Sequence, residues 1–128
     1  MAGHRLRVRY AESDQMGVAH HGAWVVWFEE ARIEWLRAHG FSYRELEAAG
    51  VLMPVIELAV RYRQPARFDD QIDLITTVAV RPPSRVVFTT RVERDGALLG
   101  EGVVTVAAVG RDGRPQRLPA ALLALAGP

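Results

Sequence analysis

The 128-residue sequence contains no cysteine and no lysine. Without cysteine there is no disulfide framework, no thiolate nucleophile and no cysteine-ligated metal. All 16 basic residues are arginine, and against 15 acidic residues they leave a formal charge of +1. That balance does not suggest nucleic-acid binding. Long apolar runs are also missing. The opening MAGHRLRVRY lacks the apolar core of a signal peptide, and charges interrupt later runs before they reach membrane-spanning length. A soluble, cytoplasmic protein with no membrane insertion is the expectation. No internal repeat, linker or low-complexity segment appears, so one domain over residues 1–128 is expected. Hydrophobic residues make up 49% of the chain, enough for a core. A chain of this size buries only about two thirds of its unfolded surface, so assembly would add stability.

The periodicity gives the order of elements. Arg5–Tyr10 alternates, with Leu6, Val8 and Tyr10 on one face and arginines on the other, as in a half-buried strand. From Ala23 to Ala38, Trp24, Trp27/Phe28, Ala31, Trp35 and Ala38 recur at helical spacing. Val25, Val26, Ile33 and Leu36 widen that apolar surface until little is left for water, which predicts a central helix. Gly40 ends it. Ser42 and Glu45 form a capping-box pattern, with Phe41 and Leu46 as a staple, opening a short second helix that Gly50 ends. Beyond residue 54 the chain reads as sheet: Val55–Tyr62, Gln71–Val80, Arg85–Arg94 and Ala97–Val109, the last two joined by a turn at Arg94-Asp95-Gly96. Pro119–Ala126 reads as a small terminal helix. One five-stranded antiparallel sheet covering a long helix is an α+β solution, and pairing its open edges across a two-fold axis would protect them.

Between the first strand and the long helix stands SDQMGVAHHGAW, residues 13–24. It places one carboxylate and two adjacent histidines around a glycine. On these residues alone, Asp14 reads equally well as a turn or cap residue and as a chemical group. Adjacent His20 and His21 lack the i,i+4 spacing of a helical zinc motif, so no metal is expected.

VRYAESDQMGVAHHGAWVVWFEEARIEWLRAHG, Val8 to Gly40, closely resembles the opening of the 4-hydroxybenzoyl-CoA thioesterase-like branch of the hotdog-fold acyl-CoA thioesterases. YRQPARFDD, Tyr62–Asp70, resembles that branch's next block. The resemblance implies a long helix wrapped by an antiparallel sheet, assembly into homodimers or homotetramers, and an active site at a subunit interface. It implies hydrolysis of an acyl or aroyl thioester of coenzyme A without metal or cofactor. Asp14 falls on the catalytic aspartate, Gly17 on the turn glycine, and His21 on the position whose backbone N–H polarises the thioester carbonyl. Glu29 matches the helix glutamate, with a role in orienting water or the loop. Ala23 stands where many relatives have asparagine, and Trp24 where tyrosine is more usual.

The chemistry fits those positions. A thioester needs an attacking oxygen, which Asp14 supplies as nucleophile or by activating water. It also needs donors for the developing oxyanion, which the amides at the helix start supply. The side chains of His20 and His21 would contact substrate or fix the loop, and Trp24 would border an acyl pocket. Coenzyme A carries phosphates, for which Arg63 and Arg85 are the candidate arginines among Arg61, Arg63, Arg67, Arg81, Arg85, Arg91 and Arg94. Two alternatives stand beside this reading: a thioesterase acting on acyl carrier protein, and a non-catalytic subunit that binds acyl thioesters. A hydratase of the same fold fits less well, because its helix-borne pattern is not seen.

Overall fold

The computed structural model describes residues 3–126; the single-domain expectation over 1–128 also takes in residues 1, 2, 127 and 128, which lie outside that range. In chain order come β1 (His4–Arg7), a 3₁₀ turn (Tyr10–Glu12), α1 (His21–Ala38), α2 (Tyr43–Ala48), β2 (Val55–Tyr62), β3 (Gln71–Arg81), β4 (Arg85–Arg94), β5 (Ala97–Ala107) and α3 (Ala120–Leu123) with a 3₁₀ turn at Ala124–Ala126. The five strands form one antiparallel sheet in the order β1-β3-β4-β5-β2, and α1 packs against it. This is the expected α+β hotdog architecture.

Two hairpins build the centre of the sheet. Arg81 pairs with Arg85 where β3 turns into β4, and Arg94 with Ala97 where β4 turns into β5. The second turn has Asp95 at φ 51° and Gly96 at φ 81°, the two positive values that a type I′ turn requires. β2 does not join its sequence neighbour β3. It crosses to the far side of β5, with Leu58 opposite Val104 and Tyr62 opposite Gly100, and becomes the edge opposite β1.

The alternation of the central strands sets the core. Ile72, Leu74, Val86, Phe88, Val92, Val104 and Val106 turn inward to meet Trp24, Trp27, Phe28, Ala31 and Leu36 of α1. Each buried large side chain contributes about 1.5–3 kcal/mol. β5 makes room for the helix with two glycines. A Cβ on Gly100 would stand 2.6 Å from the Trp24 ring, and one on Gly102 would stand 2.4 Å from Phe28.

Four expectations are corrected. The first strand ends at Arg7, because the chain bends after Val8 into the Tyr10–Glu12 turn; Tyr10 is 78% exposed and leaves the core face. The long helix begins two residues earlier, at His21, because the His20 ring caps it. It is also less enclosed than its composition suggests, since Val25 and Val26 stay out of the core and Val26 remains 51% exposed. The capping pattern at Ser42 is half realised: its Oγ accepts the Glu45 N–H at 3.2 Å. Among the described residues, no helix is long and apolar enough to cross a membrane.

Candidate active site

The segment from Ser13 to Ala19 is a closed loop whose ends pair as an antiparallel bridge. Asp14 N–H donates to Val18 O at 2.9 Å, and Gly17 N–H to Asp14 O at 3.1 Å. Gly17 has φ 74°, a left-handed conformation that glycine adopts without strain. The Asp14 carboxylate takes part through one oxygen only. Oδ1 accepts N–H bonds from Met16 (2.8 Å) and Val18 (3.2 Å), while Oδ2 has no hydrogen-bond partner among the described residues. Asp14 is exposed to solvent.

Neighbouring elements hold this loop on both sides. Ala19 N–H donates to Ala66 O at 2.7 Å, Phe68 N–H to Gly17 O at 2.9 Å, and Val18 bridges to Arg67. His20 N–H donates to Glu12 O at 2.9 Å. Glu12 itself is buried, and its carboxylate accepts from Arg9 N–H (2.8 Å), the Arg9 guanidinium (3.2 Å) and the Trp27 indole N–H (2.9 Å). Burial alone would raise its pKa. The bonds from Arg9 and Trp27, with the Arg9 charge, outweigh burial and hold it below the usual carboxylate value. Glu12 therefore ties the strand end, the loop and α1 together. The sequence reading missed it. The available signal was a carboxylate two residues before Asp14 and a buried indole in need of an acceptor.

At the other end of the loop, His20 is the N-cap of α1, and its Nδ1 accepts the Ala23 N–H at 3.1 Å. Gly22 leaves space for the folded-back ring, since a Cβ there would lie 3.3 Å from Nδ1. The amides of His21 and Gly22, ahead of the first intrahelical acceptors, have no acceptor among the described residues. The His21 carbonyl accepts the Tyr62 hydroxyl at 3.1 Å, fixing the helix head to the end of β2. A carboxylate oxygen and a helix start with unpaired amides thus belong to one rigid strand–loop–helix unit.

The comparisons with known proteins agree with this architecture. A family model described as thioesterase superfamily matches residues 16–101, beginning two residues after Asp14. The acyl-CoA thioester hydrolase YbgC of Escherichia coli is 36% identical over 121 residues, covering 93% of this chain and 90% of that protein. The hypothetical protein TT1821 from Thermus thermophilus superposes with a TM-score of 0.90 at 39% identity, over 95% of this chain and 94% of that one. A DHNA-CoA thioesterase from Staphylococcus aureus gives 0.87 at 31% identity, over 91% and 80%. This chain belongs to the 4-hydroxybenzoyl-CoA thioesterase-like family. It is an enzyme of a family of hydrolases that act on acyl-CoA thioesters.

The other residues picked out for thioesterase chemistry scatter. Trp24 is only 2% exposed and packs against Trp27, Phe28 and Tyr62, with ring centroids 5.6, 6.4 and 4.9 Å away. Glu29 lies on the outer face of α1, about 12 Å along the axis from His21, with Arg32 3.9 Å away. Arg63 is exposed just past β2, its N–H on Leu99 O. Arg85 begins β4 at the opposite end from Arg94, roughly 30 Å away. Arg94 is the end that reaches the loop's supports, bonding Asp70 Oδ2 at 2.6 Å and Pro65 O at 3.4 Å. Within one chain, then, Arg85 does not meet Asp14. A groove of about 610 Å³ also lies elsewhere: it runs between the C-terminal half of α1 with its cap His39 and residues Leu74 and Thr76 to Val78 of β3. No cluster of three or more His, Asp or Glu among the described residues is arranged to hold a metal ion.

Proposed function

We propose that this thioesterase uses Asp14 as its catalytic carboxylate and the amides of His21 and Gly22 as its oxyanion donors. The observation that carries this reading is the division of labour within Asp14. Oδ1 is held by two loop amides, and Oδ2, on a solvent-exposed residue, has no partner among the described residues. A residue serving only as a loop cap needs no exposed second oxygen, whereas a nucleophile or base needs one held in place.

Either route balances. In the first, Oδ2 attacks the thioester carbonyl carbon, the C–S bond breaks, and the mixed anhydride is hydrolysed by water. In the second, Oδ2 takes a proton as water attacks that carbon directly, and the tetrahedral intermediate then breaks its C–S bond, the departing thiolate taking up the proton. In both, negative charge collects on the carbonyl oxygen. Two amides at the positive end of an 18-residue helix stabilise it. Gly17 shapes the loop, His20 holds the helix head through its cap, and Glu29 orients water or the neighbouring loop.

The acyl pocket is completed, on this reading, by a second copy pairing through β2. That strand is one edge of the sheet, and Val55, Ile56, Leu58 and Tyr62 are each 40–49% exposed along it. Arg63 near the loop would meet the coenzyme A phosphates, and Arg85 would reach a mouth only from a neighbouring subunit. Since one relative is named a DHNA-CoA thioesterase, aromatic acyl groups are the first to test.

The experiment is thiol release from a panel of aromatic and aliphatic acyl-CoA thioesters by wild type and Asp14→Asn, with and without a chelator. Asp14→Asn should lower kcat by about 10³-fold, and the chelator should change nothing. Normal turnover by the variant would remove Asp14 from the chemistry, and loss with chelator would bring in a metal. Turnover of carrier-protein thioesters alone would move the substrate to that class.

A further inference from the structure

Arg32 is the one side chain in α1 whose burial the chain does not explain. It is 8% exposed, and Nε is closed off from solvent with no hydrogen-bond partner. None of its other N–H groups donates to a described residue either. The nearest carboxylate oxygen, on solvent-exposed Glu29, is 3.9 Å from its NH2 group, beyond hydrogen-bond range. Burial weakens its hold on the proton relative to free arginine, only partly offset by Glu29 and Tyr43. A buried N–H without an acceptor is costly, and native structures rarely keep one.

Its surroundings show which side is unfinished. Val25, Glu29 and Arg32 follow one another at spacings of four and three along α1, beside half-exposed Val26. Tyr43 of α2 lies near the guanidinium, and its hydroxyl donates to Met53 O at 3.4 Å, two residues before β2 begins. Along β2 follow the half-exposed Val55, Ile56 and Leu58. Arg32 thus shares a side of α1 with exposed Val25, and Tyr43 links it to the segment that leads into the edge strand β2. Uncovered apolar side chains near an arginine with a buried, unpaired N–H are the composition of an interface centre. The groove beside β3 and a second one around α2 and Arg117 do not include Arg32.

We propose that a second copy of this chain supplies the missing acceptor, a carboxylate or carbonyl oxygen, to Arg32, making it the polar anchor of the α1–β2 interface. This rests on the dimer reading above and adds the residue on which that dimer depends. It carries an unusual consequence. In a lone chain Arg32 is a liability, and in the pair it is an asset, so its removal acts on the two states in opposite directions.

The test is sedimentation equilibrium together with thermal melts over a dilution series for wild type, Arg32→Met and Arg32→Lys. Arg32→Met should raise the dimer dissociation constant at least about thirtyfold. At the lowest concentration its melting temperature should equal or exceed that of wild type. Arg32→Lys, which keeps the charge but not the fork, should fall between them. An unchanged dissociation constant for Arg32→Met would overturn the proposal while leaving the dimer intact. A lower melting temperature at high dilution would overturn it by showing an acceptor within the chain. Full assembly with lost turnover would assign Arg32 to substrate instead. A wild-type chain that stays monomeric at every concentration would remove the dimer reading and this inference together.

Discussion

The two sides of α1 are built by different rules. On the sheet side every large group is accounted for: Trp24 and Phe28 sit over Gly100 and Gly102, and the Trp27 indole reaches Glu12. On the other side Val25 and Val26 face solvent, and Arg32 has a buried nitrogen without a partner. One chain thus completes its core and the strand–loop–helix unit that carries Asp14, but leaves a second apolar surface open beside them. The fold and the oxygen of Asp14 are properties of the monomer. The enclosure that a thioester reaction needs belongs, on the proposed reading, to the pair.

The sharpest way to break the finished side is to fill its tightest contact. Gly102→Ala puts a methyl 2.4 Å from the Phe28 ring, closer than any real contact, and neither β5 nor α1 can withdraw without disturbing the other. The expected loss is about 3 kcal/mol, read by chemical denaturation. Phe28→Leu in the same chain should restore part of it. If Gly102→Ala were harmless, the packing of α1 on β5 would be looser than the contact implies.

That contact also shows where sequence reading stops. The 3.6-residue pattern of aromatics revealed the helix, and alternation revealed the four later strands, because both are repeated physical signals. The Asp95-Gly96 turn was legible because only certain residues take positive φ at little cost. Gly100 and Gly102 read as ordinary strand positions, since the ring each one accommodates comes from a helix some 70 residues earlier in the chain. The edge position of β2 was hidden for a similar reason: its apolar residues look the same whether they pair within a chain or wait for another. In the loop, Asp14, Gly17 and His21 were marked by resemblance to a family. Glu12 was not, because its importance lies in a bond to Trp27, fifteen residues away.

Glu12→Gln tests how much of the finished side depends on that bond. Gln keeps the shape but loses the charge that Arg9 and the indole N–H address, and about 2 kcal/mol of stability should go with it. The pH dependence supplies a second check. The Glu12 pKa is depressed on folding, so its contribution is fully present above the unfolded value near pH 4.3 and disappears as pH falls through the lower folded value. Wild type should therefore lose stability over that acid window, and Glu12→Gln should lose less of it there. Parallel acid curves for the two proteins would mean that the carboxylate adds no net charge-dependent stability.

The smallest effect on folding should come from the open side. Val26→Ser changes a residue that is 51% exposed and lies outside the core cluster. At high dilution its unfolding free energy should match wild type within about 0.5 kcal/mol. At working concentration, where the pair would form, the same substitution should weaken association and lower turnover in step with the fraction dissociated. The contrast with Gly102→Ala is the point: one lowers stability at every concentration, the other changes behaviour only where two chains meet. If Val26→Ser lost as much stability in the dilute chain as in the concentrated one, the face would be covered from within. The division between a finished and an open side of α1 would then fail.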